Sequence, residues 1–302
     1  MNSIVVKDLR HSYNGTVAVD GISFNVAQGE IFGLLAPNRA VKTTTTEILF
    51  GLKKRKAGLV EVLGFDPSDQ DEELKSRIGV QLQIPSLFQR LTVKELLNLF
   101  ATFYPDPLNI EEVIEKVGLQ DKTKTISMKL SGGKLQRLSV ALALVSNGDL
   151  IFLDEPTTGL DPQARRGLWD VIENLKKEGK TVFLTTHYMD EAEKLCDRVA
   201  IIDYGKVIAL SSPNDLIKSN FTEQALEFDV EADQKAFLHE KLPSVSKIEF
   251  NEDKATVYTQ DVTKTVAELL AITDNGFRLK SFTVRSASLE DVFLKLTGRR
   301  IR

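Results

Sequence analysis

The stretch Leu130-Ser131-Gly132-Gly133-Lys134-Leu135-Gln136-Arg137, with Leu150-Ile151-Phe152-Leu153-Asp154-Glu155-Pro156 a helix further on, decides the fold. The first part is a Ser-Gly-Gly turn that opens a helix, and an exposed turn of this kind offers N–H groups to an anion. The helix carries the apolar run 139–145 and is closed by the breaker Ser146-Asn147-Gly148-Asp149. The last part is a short apolar run, a buried strand that delivers two adjacent carboxylates to its C-terminal tip. Such a pair suits a metal ion held beside a general base.

Composition sets bounds around this centre. With 302 residues, 42% of them hydrophobic, the chain is long enough for one large domain, or a large one and a small one, with a sizeable core. A net charge of −4 argues against a general nucleic-acid binder. The basic cluster Lys53-Lys54-Arg55-Lys56 reads as a solvated loop. The one cysteine, Cys196, excludes an internal disulfide and a cysteine-based zinc site, and reads as a core or half-buried thiol. The start of the chain lacks the basic and apolar regions of a signal peptide, and no apolar run approaches the roughly 20 residues of a membrane helix. A cytoplasmic protein is expected, with any membrane role supplied by a partner.

Strands are expected at 5–13 and 22–26, with Asn14-Gly15 as the turn between them. Ile31-Phe32-Gly33-Leu34-Leu35 is a buried strand of the kind that precedes a phosphate loop, whose pattern is G-x-x-x-x-G-K-[ST]. The sequence that follows is Ala36-Pro37-Asn38-Arg39-Ala40-Val41-Lys42-Thr43-Thr44. Both required glycines are replaced, by Ala36 and Val41, while Lys42, Thr43 and Thr44 stand. Glycine permits backbone angles closed to other residues and lets phosphate oxygens approach the N–H groups. Each residue forced to positive φ is expected to be strained by about 1–3 kcal/mol, and a β-branched one such as Val41 is among the worst choices there. Two such residues would weaken nucleotide binding by a factor of tens to thousands.

The Leu-Ser-Gly-Gly and Leu-Asp-Glu-Pro segments together resemble the ATP-binding subunits of ABC transporters, over roughly residues 1–215. The resemblance implies a P-loop NTPase of α/β class, a RecA-like core with antiparallel β and helical subdomains, acting as a Mg²⁺-dependent ATPase. Arg39 stands where that family most often has a third glycine, so its added charge would either assist phosphate binding or block it. Residue roles follow by position. Asn38, Lys42, Thr43 and Thr44 would hold phosphates, and Thr43, Gln83 and Asp154 would serve Mg²⁺. Glu155 would act as general base, Gln83 would touch the attacking water or the metal, and His187, closing the apolar strand 181–186, would stabilise γ-phosphate charge. Ser131, Gly132 and Gly133 would contact ATP held by an opposite subunit, and Asp161 would reach across that dimer. Tyr13 reads equally as an aromatic on a strand face or as the ring the family stacks on adenine, and the resemblance favours the second. Lys134 stands where Gln or Glu is commoner. The segment from about 84 to 130, with Leu96, Leu97, Leu99, Phe100 and Phe103 as apolar faces, would be the helical subdomain that docks a membrane subunit. The lone Trp169 reads as packing.

After Ser211-Ser212-Pro213 the pattern changes. Strands at 226–230, 245–250, 254–259 and 279–284, with helices at 232–241 and 262–273, give the order βαββαβ, a ferredoxin-like arrangement. A final helix runs from the Ser288 cap to the Gly298 stop, and its Leu-Glu-Asp-Val-Phe-Leu run is similar to the tail of exporter ATPase subunits. Residues 216–302 are therefore expected to be a small accessory α+β domain. The functional expectation is an ATPase subunit energising an ABC-type exporter, peripheral on the inner face of the membrane. It would act as a homodimer or heterodimer on a separate transmembrane permease, without nucleic acid. The altered phosphate loop keeps open a regulatory or scaffold subunit with impaired nucleotide binding. A soluble ABC ATPase of translation or repair would carry two modules or a long coiled-coil insertion.

Overall fold

The computed structural model describes residues 1–37, 39–83, 88, 90–230, 238, 242, 245–251, 253–273 and 280–298. They divide into two compact units, residues 1–213 with 296–298, and residues 214–295.

The first unit opens with the hairpin β1 (Asn2–Tyr13) and β2 (Thr16–Ala27), longer than its sequence pattern suggests. Asn14 and Gly15 both have positive φ, which matches the turn to the strand twist. β4 (Ala57–Val62) pairs with the other edge of β1 to complete a three-stranded antiparallel sheet. The second sheet has the order β5-β6-β7-β3-β8-β9, built from β3 (Ile31–Leu35), β5 (Ile78–Gln81), β6 (Leu150–Asp154), β7 (Thr181–Thr185), β8 (Arg198–Asp203) and β9 (Lys206–Ser211). All neighbours are parallel except the β8–β9 hairpin. Every residue of β3, β6 and β7 is buried, which is why each reads as an unbroken apolar run rather than an alternating one. Phe24 of β2 stacks on Phe32 of β3 at 5.3 Å, and Phe32 lies 5.8 Å from Phe183 of β7, so aromatic packing joins the two sheets.

Helices α1 (Arg39–Leu49) and α2 (Glu72–Ser76) precede a helical segment of α3 (Val93–Ala101) and α4 (Ile110–Lys116). α3 starts in a capping box between Thr92 and Glu95 and buries Leu96 and Leu97. Phe103, expected on an apolar face, is instead 67% exposed beyond the end of α3, touching Phe100 edge-on. α5 (Gly132–Leu144) leads into β6, α6 (Pro162–Lys177) into β7, and α7 (Met189–Leu195) into β8. The basic cluster is not a free solvated loop. Lys53 pairs with Glu47 at 2.7 Å, Lys56 reaches the Ser12 hydroxyl, and Arg55 donates to both oxygens of Asp66, holding that carboxyl at about 2. Cys196 is buried, and burial pushes its thiol up.

The second unit begins with α8 (Pro213–Asn220) and holds β10 (Gln224–Asp229), β11 (Lys247–Asn251), β12 (Lys254–Thr259) and β13 (Lys280–Arg285) in the order β11-β12-β10-β13. All three pairings are antiparallel, and the strand order is that of a ferredoxin-like sheet. The helix expected at 232–241 falls largely outside the described residues; α9 (Val262–Thr273) supplies the second crossover. Leu226, Phe228, Ala255 and Val257 share a core with Leu269 and Ile272 of that helix. The closing helix α10 (Leu289–Thr297) starts at a Ser288–Asp291 cap and stops at Gly298, whose φ of +69° suits glycine. No helix among the described residues is long and apolar enough to cross a membrane.

Candidate functional site

Four neighbouring strands of the central sheet release their chains at one edge. Beyond β3 comes the turn into α1; beyond β5, Gln83; beyond β6, Glu155; and beyond β7, His187. Ligands bind at this edge in open α/β sheets, because loops diverge there and side chains converge.

Glu155 is the centre of the cluster. It is 7% exposed and has a φ of +49°, an uncommon backbone state for a residue with a side chain. Its N–H donates to the Thr185 carbonyl at 3.0 Å, which ties the turn to β7. Lys42 donates to Oε1 at 2.7 Å. Oε2 receives Gln83 Nε2 at 2.8 Å and Thr158 Oγ1 at 3.2 Å, and lies 3.1 Å from His187 Nδ1. Burial pushes this carboxyl upward, but the hydrogen bonds from His187 and Lys42 and the charge of Lys42 outweigh it, holding Glu155 at about 2. An ionised carboxylate only accepts, so His187 presents Nδ1–H to it.

Asp154, immediately before, takes the Thr185 hydroxyl on Oδ1, while Gln81 Nε2 donates to its carbonyl at 3.3 Å. Thr43 is half-buried on the first turn of α1. A carboxylate, a hydroxyl and the carboxamide of Gln83 form an all-oxygen donor set. Such a set fits Mg²⁺ bound largely through substrate phosphates and waters, and does not suit a softer ion.

The phosphate loop departs from expectation in an informative way. Neither Ala36 nor Val41 takes positive φ; Arg39, Ala40 and Val41 wind into the first turn of α1. The expected backbone strain is therefore absent. Ala36 and Val41 are 1% and 3% exposed and belong to the core that contains Phe32. A helix that starts at Arg39 commits the N–H of Thr43 and those after it to carbonyls four residues back. Lys42 is 3% exposed, with its ammonium on Glu155. Asn38 lies outside the described residues.

Tyr13 comes to α1 from β1: its hydroxyl lies 2.8 Å from Thr44 Oγ1, the Lys53 ammonium sits 4.7 Å from its ring centroid, and the ring is 39% exposed. Ser131 and Gly132 are exposed at the start of α5, and no side-chain cap closes that helix end. Gly133 packs toward α6, where an added Cβ would stand 3.2 Å from Ala164. Asp161 caps α6 through the N–H groups of Gln163 and Ala164. The fold thus brings Lys42, Gln83, Glu155 and His187 together, whereas Ser131, Gly132 and Asp161 face outward. Sequence reading missed Thr158 and Thr185, small hydroxyl residues whose only signal is adjacency to the strand tips. It also missed Arg165 and Glu191, and took Trp169 for packing alone. Trp169 donates its indole N–H to Glu191 at 2.9 Å.

The model of the ABC transporter family matches residues 19–158, and that of the ATP-binding protein DrrA1-3-like C-terminal domain matches 214–297. The Nod factor export ATP-binding protein I of Ralstonia nicotianae is 38% identical over 98% of this chain and 94% of its own length. The chain is an ATP-binding subunit of the ABC transporter family, of the exporter type. The protein of the same name from Paraburkholderia xenovorans is 37% identical over 97% of this chain and 96% of its own. Among solved ABC cassettes, an ATP-binding subunit of an ABC transporter superposes with a TM-score of 0.65 at 27% identity, over 72% of this chain and 92% of its own. A dimeric bacterial ABC transporter cassette gives 0.63 at 25% identity, over 69% and 98%. In this family the nucleotide is ATP with Mg²⁺ and the reaction is ATP hydrolysis.

Proposed function

We propose that this ABC subunit works as one half of a dimer on a separate transmembrane permease, peripheral to the inner face of the membrane, and drives export by ATP hydrolysis. The observation that carries this reading is the buried Glu155 carboxylate with Lys42, Gln83 and His187 gathered on it. Glu155, ionised and fixed by the β6–β7 hydrogen bonds, takes the proton of an attacking water. Lys42 leaves it for the phosphates when nucleotide enters, which frees Oε1 to accept that proton. Gln83 orients the water, and His187 places a donor where negative charge grows. Thr43, Gln83 and Asp154 are the residues that would hold Mg²⁺, which neutralises charge on the phosphates when bound. The exposed turn at Ser131, Gly132 and Gly133, with Asp161 nearby in sequence to α6, meets nucleotide held by the opposite subunit; Tyr13 stacks on the base. Two identical subunits would place the altered loop at both sites.

A second reading rests on the early start of α1. With Ala36, Arg39 and Val41 in place of glycine, the loop binds nucleotide weakly, and the chain serves as a regulatory or scaffold half beside an intact relative. ATP-Mg²⁺ affinity and turnover of the purified chain, beside A36G/R39G/V41G, separate the two. Equal micromolar affinity and turnover in both supports the motor. Activity confined to the glycine variant supports the second reading. No turnover in either, with binding intact, overturns the motor reading.

A further inference from the structure

Two members of the cluster that touch each other, Glu155 and His187, are held differently. Glu155 is fixed by backbone hydrogen bonds to β7, whereas His187 sits on the short turn between β7 and α7. Something else must hold its ring.

The rings of His187 and Tyr188 are 4.1 Å apart, centroid to centroid, and Tyr188 is the N-cap residue of α7, its N–H donating to the Thr186 hydroxyl. On the other side of this turn stands α6. The Arg165 guanidinium lies 5.0 Å from the Tyr188 ring and 5.4 Å from the Trp169 ring, and pairs with Asp190 at 3.2 Å. Its Nε is buried with no hydrogen-bond partner, so Arg165 is held chiefly by its flat faces and its terminal nitrogens. Trp169, one helical turn further, donates to Glu191, which is fully buried in the first turn of α7. Residues 188, 190 and 191 are thus each gripped by α6, and the grip closes on the ring that packs against His187.

We infer that Arg165, supported by Trp169 and Glu191, is a positioning residue that clamps the Tyr188 turn onto α6 and so aims His187 Nδ1 at Glu155. The inference rests on the catalytic role proposed above for His187. A planar cation against aromatic rings contributes stiffness that lysine does not reproduce, because its ammonium is a mobile point charge on a flexible stem. α6 also carries Asp161 at its N-terminus, so the same helix that meets the opposite subunit sets the aim of the histidine.

The test uses the full chain labelled with ¹⁵N-histidine. It has three histidines, and H187A assigns the relevant resonance. At a pH where imidazole is neutral, the native chain should show the Nδ1–H tautomer at His187, because the partner of each ring nitrogen fixes which one carries the proton. R165M and R165K should both move the population toward Nε2–H several-fold, and W169F, which keeps a ring but loses the indole N–H, should do so less. Retention of the native tautomer in folded R165M or R165K overturns the inference; if R165M fails to fold, R165K and W169F decide. The kinetic arm is a double-mutant cycle. R165M should lower kcat about tenfold with KM changed less than about twofold, and should add less than about twofold in an H187A background. Equal losses in both backgrounds mean that Arg165 acts on packing alone. If the chain turns over no ATP, the motor reading fails, and the tautomer still decides whether the clamp exists.

Discussion

The phosphate loop and the strand tips facing it have fared differently. At the tips of β6 and β7 the carboxylates are tied down: Glu155 by two hydrogen bonds to Thr185, Asp154 by the Thr185 hydroxyl. In the loop Lys42 keeps its ammonium on Glu155, while residues 39–41 are helical and Ala36 and Val41 are buried in the core. Side-chain chemistry and backbone cradle are therefore separable properties of one site. The first is written in residue type, the second in what residues allow the chain to do.

The sharpest way to test the intact side of that comparison is Glu155→Gln. As general base, Glu155 should carry about 10²–10⁴-fold of the turnover, with ATP binding kept. A loss below tenfold, measured by single-turnover hydrolysis at saturating ATP, would remove it from the role. Lys42→Met probes the link between the two regions. It leaves a buried carboxylate without its cation, and breaking such a pair from one side costs about 3–5 kcal/mol. Urea unfolding should show this, and K42M/E155Q should recover part of it, since the double variant buries no unpaired charge. An unchanged midpoint in K42M would mean that Gln83, Thr158 and His187 suffice to hold Glu155.

Acid titration tests the same pair without a gap in the packing. Glu155 is held at about 2, below the ordinary carboxylate value of about 4.3. A depressed folded-state value means that its stabilisation is complete above about pH 4.3 and disappears as pH falls toward 2. The native chain should thus lose stability through that window more steeply than E155Q, by denaturant midpoints at stepped pH. Parallel acid limbs would show that Glu155 is not the depressed group.

How much of this was legible follows the same division. The strands ending at residues 35, 154 and 185 were readable because buried parallel strands are continuous apolar runs, and Asp154, Glu155 and His187 stand at their ends. The four strands and the second helix of the small unit were readable from alternating short runs, while the helix expected at 232–241 lies largely outside the described residues. The helical start at Arg39 was not, because the motif describes a glycine loop and says nothing of what replaces it. Arg165 was invisible for another reason. Its partners, Tyr188 and Asp190, lie on another helix turn, and only the packing of α6 on α7 brings them within reach. Phe103 is exposed because α3 ends at Ala101, so helical spacing no longer carries it to the buried face.

The smallest effect is the one that separates cradle from core. Val41→Gly places glycine inside the first turn of α1, which costs about 1 kcal/mol in helix propensity. It also removes a side chain that is 3% exposed among Phe32 and its neighbours, adding about 1–3 kcal/mol. Stability should therefore fall by about 2–4 kcal/mol, while ATP affinity should rise, because the turn regains freedom to open and present its N–H groups. The two changes have opposite signs, and that opposition is the signature of a loop whose glycines were exchanged for packing. Calorimetric ATP binding and thermal unfolding on the same preparation check both. If V41G loses affinity along with stability, the helical turn is itself the binding conformation, and the early start of α1 completes the phosphate site instead of closing it.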